Sequence, residues 1–206
     1  MAEKKKAQQK WTLARFLPYI LIIGGIIGII CSFILIYDQV KIWENPHYVP
    51  ACSLNPVVSC GSVINSKQGE ILGIPGPFFG LVSFAVVTTV GLALLAGAQL
   101  KRWFWIGLEL GVVGGIGYAL WLFSLSMYRV HALCPFCLAV DVVVYTTFWY
   151  VTLYNIDQNH IRLPKGRLTT SYAWIRRHHL DILMLWFVIV AAWILKHFWY
   201  YYGHHF

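Results

Sequence analysis

Five stretches of predominantly apolar residues restrict the possible folds of this chain more than any other feature of its sequence. They cover residues 16–37, 78–98, 103–128, 132–154 and 182–202. A helix that crosses a membrane needs about 20 such residues, because lipid offers its backbone no hydrogen-bonding partner. The apolar share of 59% also exceeds the roughly 45–50% of soluble domains. The sequence therefore predicts an all-α integral membrane protein. Its first span is too long for the apolar core of a cleaved signal peptide.

The distribution of basic residues predicts the orientation of the spans. Of the 16 Lys and Arg residues, all but Lys41, Lys67, Arg129 and Lys196 lie in the N-terminal tail and in the connections after the second and fourth spans. Positive charge marks the cytoplasmic side. We therefore expect a cytoplasmic N-terminus and an external C-terminus. A nucleic-acid-binding protein would gather this charge on one folded face, and here it is spread over three segments.

The spans and their connections suggest four regions. Residues 1–12 form a basic tail without stable structure, and 13–155 form a four-helix bundle with an outer loop at 38–77. Residues 156–180 form a cytoplasmic linker, and 181–206 form the fifth helix and the external end. Within the loop we expect a short half-helix over Cys60–Ser66 that lies on the membrane surface. Small residues at helical spacing, such as Gly107, Gly111 and Gly115, predict close packing between helices.

Two pairs of cysteines suggest redox chemistry. Cys52 and Cys60 fall in the outer loop, and Cys134 and Cys137 stand at the start of the fourth span around Pro135. The start of a helix stabilises a thiolate, which is the form that attacks disulfides. The loop pair could take electrons from a soluble partner and pass them to the helix pair. A lipid-soluble quinone would be the natural final acceptor.

Other uses of these cysteines remain open from the residues alone. The helix pair could be an inert staple, and four cysteines could form a zinc site. Structural zinc sites usually have two close pairs, however, and Cys52 and Cys60 have seven residues between them. A membrane scaffold with two structural disulfides is the non-enzymatic alternative. A DsbB-type oxidase would carry out similar chemistry, but it has the two cysteine pairs in the opposite order.

The cysteine pattern resembles that of the vitamin K epoxide reductase family. The resemblance rests on Cys52-Ser-Leu-Asn-Pro-Val-Val-Ser-Cys60 with Gly61 and Ser66, on Gly73-Ile74-Pro75, and on Cys134-Pro-Phe-Cys137. It extends over about residues 16–154, and the five-span layout is similar to that of the bacterial branch. It implies a four-helix bundle around a quinone, which would be ubiquinone, menaquinone or a vitamin K-type naphthoquinone.

The resemblance also implies roles for individual residues. Cys60 would receive electrons from a reduced Cys-x-x-Cys partner, Cys52 would shuttle them to Cys134, and Cys137 would reduce the quinone. Ser66 matches a hydroxyl residue of the family near the inner cysteine. In the animal enzymes of the family an Asn and a Tyr contact the quinone, and these two positions fall on Gly76 and Asp141 here. The family also often has an Asp directly after the first loop cysteine, where this sequence has Ser53. Simple quinone reduction is therefore expected over reduction of vitamin K epoxide in a vitamin K cycle.

Several other side chains are candidates for the quinone site. Asp141 is one helical turn beyond Cys137 on the same face, where it could deliver a proton or merely be satisfied by a neighbouring helix. Glu109 is expected to be satisfied within the bundle or to snorkel to the interface, and Cys31 to fill apolar space. His131 could support the Cys134 thiolate but is expected to lie exposed at the interface. The candidate pocket aromatics are Phe78, Phe79, Tyr118, Trp121 and Phe136.

Together these features predict a membrane thiol–disulfide oxidoreductase that supports disulfide bond formation. Bacterial members of the family often carry a fused thioredoxin-like domain after the fifth span. Because this sequence stops at Phe206, the expected partner is a separate extracytoplasmic thioredoxin-fold protein. A bacterial plasma membrane is the expected location.

Overall fold

The structure is a computed structural model, and it describes residues 2–53, 55, 57–64, 70–71, 73–161, 172 and 174–202. Ser66 lies outside the described residues, as does Pro56 of the predicted Asn55-Pro56 turn. The described helices and strands, in chain order, are α1 (Ala2–Glu44), α2 (Cys60–Ile64), β1 (Glu70–Ile71), β2 (Ile74–Pro75), α3 (Gly76–Leu95), α4 (Arg102–Leu125), a π-helical turn (Ser126–Val130), α5 (Pro135–Asp157) and α6 (His179–Tyr202).

Five helices in the described part of the chain are long and apolar enough to cross a membrane. They are α1 from Leu13, α3, α4 with the π-helical turn, α5, and α6 as far as Trp199. The predicted all-α membrane fold is confirmed, and the predicted half-helix is α2. The prediction of an unstructured N-terminal tail is wrong, because α1 continues without a break from Ala2.

The first span is the centre of the bundle, packing along both α3 and α5, while α4 packs on the other side of α5. Glycines allow the close contact between α1 and α3. A Cβ added at Gly91 would lie 3.0 Å from the carbonyl oxygen of Pro18. A Cβ at Gly28 would collide with the ring of Phe84. These positions therefore hold two backbones together, as small residues do in membrane helices.

The glycines of α4 do not serve the packing role that their spacing predicted. A Cβ added at Gly107 or Gly111 would meet no atom within 4 Å, and one at Gly115 would only touch Val144 at 3.8 Å. The packing prediction is therefore wrong for Gly107 and Gly111. Both line a cavity in the bundle instead. The missing side chains create space beside the helix.

A buried polar cluster joins α4 to α5 at the end of the bundle away from the cysteines. Glu109 accepts hydrogen bonds from the hydroxyl of Thr152 at 2.6 Å and from the amide of Asn155 at 2.8 Å. The same amide also donates to the carbonyl oxygen of Trp105 at 3.3 Å. Glu109 and Asn155 are both buried. Glu109 is thus satisfied inside the bundle, as expected.

Candidate functional site

The loop after α1 brings its two cysteines together as a disulfide. Cys52 and Cys60 are bonded, with 5.7 Å between their Cα atoms. The side-chain oxygen of Asn55 accepts from the backbone N–H groups of Val57 and Val58 at 3.1 and 2.7 Å and so forms the turn between them. Cys60 then opens α2. The loop disulfide is therefore held by a turn on one side and a short helix on the other.

A short backbone bridge attaches this loop to the segment before α5. The N–H of Ser59 donates to the carbonyl oxygen of Leu133 at 3.0 Å, and the N–H of Leu133 donates to the carbonyl oxygen of Val57 at 2.6 Å. Val58 and Leu133 thus form an isolated parallel β-bridge. We call these residues, Val57–Ser59 with Leu133, the loop bridge. Each of its two strands leads directly into a cysteine, Cys60 on one and Cys134 on the other.

The loop bridge brings the two cysteine pairs into contact. The sulfur of Cys60 lies 3.3 Å from the sulfur of Cys134. Both side chains are buried, at 0% and 1% exposure, and Cys52 is only partly buried. Cys60 is therefore the loop cysteine next to Cys134, whereas the resemblance implied that Cys52 passes electrons to Cys134. Cys52 is the more exposed cysteine of the loop pair.

The start of α5 supports a thiolate at Cys134. Cys134 is the N-cap residue, Pro135 is in the first turn, and the N–H of Cys137 donates to the Cys134 sulfur at 3.3 Å. A hydrogen bond from the Cys137 thiol lowers the pKa of Cys134 the most, and the N–H groups of Cys137 and Phe136 lower it further against the effect of burial. Cys134 is therefore both a good nucleophile and a good leaving group in disulfide exchange.

An acidic residue of α1 lies next to Cys52. The Asp38 carboxylate is 3.8 Å from the Cys52 sulfur and accepts a hydrogen bond from the hydroxyl of Tyr48 at 3.1 Å. Asp38 is buried at 5% exposure. In the disulfide the Cys52 sulfur carries no proton, so this is a contact that becomes a hydrogen bond only when Cys52 is reduced to a thiol. Asp38 falls in the outer loop expected at 38–77, but α1 continues to Glu44 and so carries this carboxylate.

Cys137 faces a cavity of about 680 Å³ inside the four-helix bundle. Such a volume falls within the range of small-molecule sites. The lining is mostly apolar and comes from α1, α2, α3, α4 and α5, with Ser32, Gln39, Tyr118, Cys137, Asp141 and Thr147 among its polar members. Another cavity of about 720 Å³ lies beside α1, α5 and α6, but no cysteine lines it. The cavity at Cys137 is therefore the candidate acceptor site.

The predicted quinone-site residues differ in where they lie. Phe79, Tyr118 and Asp141 line the cavity with Cys137. Phe78 does not line it, and Trp121 is 56% exposed on α4 and does not line it either. Phe136 packs instead in the apolar cluster around the four sulfurs.

Tyr118 occupies space that a larger residue at position 76 would need. A Cβ added at Gly76 would collide with the hydroxyl of Tyr118. The phenol therefore lies directly against the backbone at the start of α3, between that helix and α4. The absence of a side chain at Gly76 therefore makes room for the Tyr118 ring. The spacing of residues in the sequence does not predict this contact. Tyr118 is thus one of the polar side chains that line the cavity together with Asp141 and the Cys137 thiol.

These features place a disulfide and a thiol pair in contact at one end of a transmembrane bundle, with the Cys137 thiol facing an apolar cavity. Among the described residues no group of three or more His, Cys, Asp and Glu side chains is arranged to hold a metal ion. The family model of the vitamin K epoxide reductase family matches residues 19–152. The chain belongs to this family of membrane oxidoreductases. The match includes all four relay cysteines and ends before α6.

Proposed function

We propose that this protein oxidises a soluble thioredoxin-fold partner and passes the electrons to a membrane quinone, so that the partner can form disulfide bonds in other proteins. The observation that carries the proposal is the 3.3 Å distance between the sulfurs of Cys60 and Cys134. It connects a partly exposed loop disulfide to a thiol pair that faces an apolar cavity. An electron pair can cross this contact by thiol–disulfide exchange alone.

Electron entry begins at Cys52 in this scheme. A partner thiolate attacks the Cys52 sulfur, the Cys52–Cys60 bond breaks, and Cys60 leaves as a thiolate. Cys60 then attacks Cys134 in a Cys134–Cys137 disulfide, and Cys137 leaves as a thiolate. The second partner thiolate resolves the mixed disulfide at Cys52, which releases the oxidised partner and a Cys52 thiolate.

The loop disulfide then forms again. Cys52 attacks Cys60 in the Cys60–Cys134 disulfide, and Cys134 leaves, which its lowered pKa favours. The result is a bonded Cys52–Cys60 pair with free thiols at Cys134 and Cys137, the arrangement seen in the structure. We interpret it as the state in which the helix pair is loaded with two electrons.

The helix pair completes the reaction by reducing the acceptor. Cys137 transfers the electron pair to the quinone, and the Cys134–Cys137 disulfide is restored. Overall, one partner dithiol and one quinone become one partner disulfide and one quinol. The two protons released by the thiols must be matched by two taken up in the cavity. Asp141 and Tyr118 line the cavity with Cys137, and we assign proton delivery to Asp141.

The distribution of positive charge supports one orientation for this activity. Arg102, Arg176 and Arg177 belong to the end of the bundle opposite the cysteines. By the preference of basic residues for the cytoplasmic side, the relay would face the oxidising compartment, where disulfides persist. We propose the bacterial plasma membrane as the location, with the partner on its outer side.

The decisive test is quinone reduction by the purified protein in lipid nanodiscs. A reduced thioredoxin-fold protein supplies electrons, and ubiquinone, menaquinone and vitamin K epoxide are offered in turn as acceptors. We expect turnover with a quinone and its loss in Cys137→Ala. Cys31→Ala is the matched control, because Cys31 is a buried cysteine of α1 outside both pairs. Absence of turnover with every acceptor, with the fold intact, would favour a scaffold with structural disulfides.

A further inference from the structure

The fifth helix, α6, buries a single residue of those described in it. Its spanning segment from His179 to Trp199 is otherwise exposed or partly exposed, and Phe198 alone is buried, at 1% exposure. Its neighbour Trp199 is 69% exposed. A helix that served only as an anchor in lipid would not need one fully enclosed side chain at its end. The position of Phe198 therefore calls for a more specific explanation.

Phe198 packs into the structure that joins the two cysteine pairs. It forms an apolar cluster with Val57, Met127 and Leu133. Val57 and Leu133 are both members of the loop bridge and share its 2.6 Å hydrogen bond. Leu133 is followed directly by Cys134. The ring of Phe198 therefore covers the bridge that sets the distance between Cys60 and Cys134.

Other aromatic side chains of α6 contact the same region. His197 stacks on His131, with ring centres 6.0 Å apart and planes 2° apart, and it meets the Tyr128 ring edge-on at 5.5 Å. Trp193 contacts Phe123 at 6.4 Å between ring centres. These contacts attach α6 to α4 and the π-helical turn, the segment immediately before Cys134. His131, predicted to lie exposed at the interface, is indeed exposed but also takes part in this stacking.

We propose that Phe198 is a positioning residue for disulfide exchange, and that α6 clamps the loop bridge so that Cys60 stays within reach of Cys134. The inference rests on the proposed function. It assigns a task to a helix that lies outside the residues matched by the family model. Phe198 touches no reacting atom and acts only through Val57 and Leu133.

The size of the effect follows from the geometry of exchange. The two sulfurs must approach from 3.3 Å to a bond of about 2.05 Å. A displacement of about 1 Å at a reacting centre can cost roughly 100-fold in rate. Removal of the Phe198 ring leaves the bridge uncovered on one side. We expect Phe198→Ala to slow exchange between Cys60 and Cys134 by roughly 10- to 100-fold.

The first measurement needs neither quinone nor partner. In a Cys52→Ala, Cys137→Ala background, Cys60 and Cys134 are the only cysteines of the relay, and a mild oxidant should link them. The rate of that link is followed by quenched alkylation and peptide mass spectrometry. We expect it to fall in Phe198→Ala, to recover largely in Phe198→Leu, and to be unchanged in Trp199→Ala. An unchanged rate in Phe198→Ala would overturn the proposal.

The second measurement separates positioning from general damage. In otherwise unaltered protein, the helix pair is reduced directly with a lipid-soluble dithiol that enters the cavity at Cys137, and a single turnover of quinone reduction is recorded. We expect this step to be unchanged in Phe198→Ala, while turnover driven by the partner falls. Equal loss of both steps in Phe198→Ala and Phe198→Leu would contradict a positioning role. If the unaltered protein reduced no quinone, the proposed function would fail, while the cross-linking result would still decide the clamp.

Discussion

The assignment of Cys60 as the inner loop cysteine makes a sharp prediction about which disulfide can be trapped. Two variants, both in a Cys31→Ala background, leave one loop cysteine with Cys134. Cys52→Ala with Cys137→Ala leaves Cys60, and Cys60→Ala with Cys137→Ala leaves Cys52. Both variants retain the same number of cysteines, so each serves as the control for the other.

The structure sets the size of the expected difference. Cys60 must close about 1.2 Å to bond Cys134, since a disulfide is about 2.05 Å long and the sulfurs start 3.3 Å apart. Cys52 must travel farther, because Cys60 is the loop cysteine whose sulfur is in contact with the Cys134 sulfur. With roughly 100-fold in rate for each misplaced ångström, the Cys60–Cys134 link should form at least about 100-fold faster.

The assay is a time course with a mild oxidant in nanodiscs. Samples are quenched by alkylation, and the cross-linked peptides are identified by mass spectrometry under non-reducing conditions. Formation of a Cys52–Cys134 link as fast as the Cys60–Cys134 link would refute the reasoning. It would restore the roles that the family resemblance implied, with Cys52 as the shuttle.

Further predictions concern the cavity, the thiolate and the buried cluster. Asp141→Asn should lower quinone reduction roughly 100-fold, as removal of a general acid does, and full turnover over about pH 6 to 9 would exclude proton delivery. Gly111→Leu should fill part of the cavity and raise the KM for quinone without slowing partner oxidation of the loop pair in a single turnover. Because the Cys137 thiol lowers the pKa of Cys134, Cys137→Ala should move the thiolate absorbance of Cys134 to higher pH, with less thiolate near neutrality. Asn155→Ala leaves an oxygen of Glu109 without its 2.8 Å partner and should destabilise the protein by about 1–3 kcal/mol.

Two of these variants, Gly111→Leu and Asn155→Ala, have a matched control in the chain. An exposed valine near Gly111 serves the cavity test as Val113→Leu, since it does not line the cavity. For the buried cluster the control is Thr146→Ala, whose hydroxyl donates only to the carbonyl oxygen one turn back at 2.7 Å. Surface changes of that kind usually stay within about 0.5 kcal/mol. A control that behaved like its test variant would assign the effect to general damage.

Much of the fold could be predicted because it depends on local signals. Apolar length alone located the five spans, and Pro135 beside Cys134 indicated the start of α5. Burial of Glu109 followed from a carboxyl group on a bundle helix. Each of these conclusions uses residues close together in the chain, where helix geometry fixes the spacing.

The parts that failed depend on contacts between distant segments. Which loop cysteine meets Cys134 is decided by the hydrogen bonds between Val57, Ser59 and Leu133, which join segments about 75 residues apart in the chain. The glycines of α4 have the spacing of a packing surface, but spacing cannot distinguish a neighbouring helix from a cavity. Phe198 looks like one more aromatic of an interfacial belt until its enclosed position is known.

The burial of Cys60 and Cys134 affects which molecules can exchange electrons with the protein. Small thiols dissolved in water reach sulfurs at 0% and 1% exposure far more slowly than they reach Cys52, so in the proposed function electrons from the aqueous side enter through Cys52. In the proposed function, one end of the relay would exchange electrons with the aqueous side and the other with the lipid, and the buried contact between them would slow direct reaction with dissolved thiols. The protein would then keep a disulfide-forming partner oxidised while reduced small thiols are present nearby.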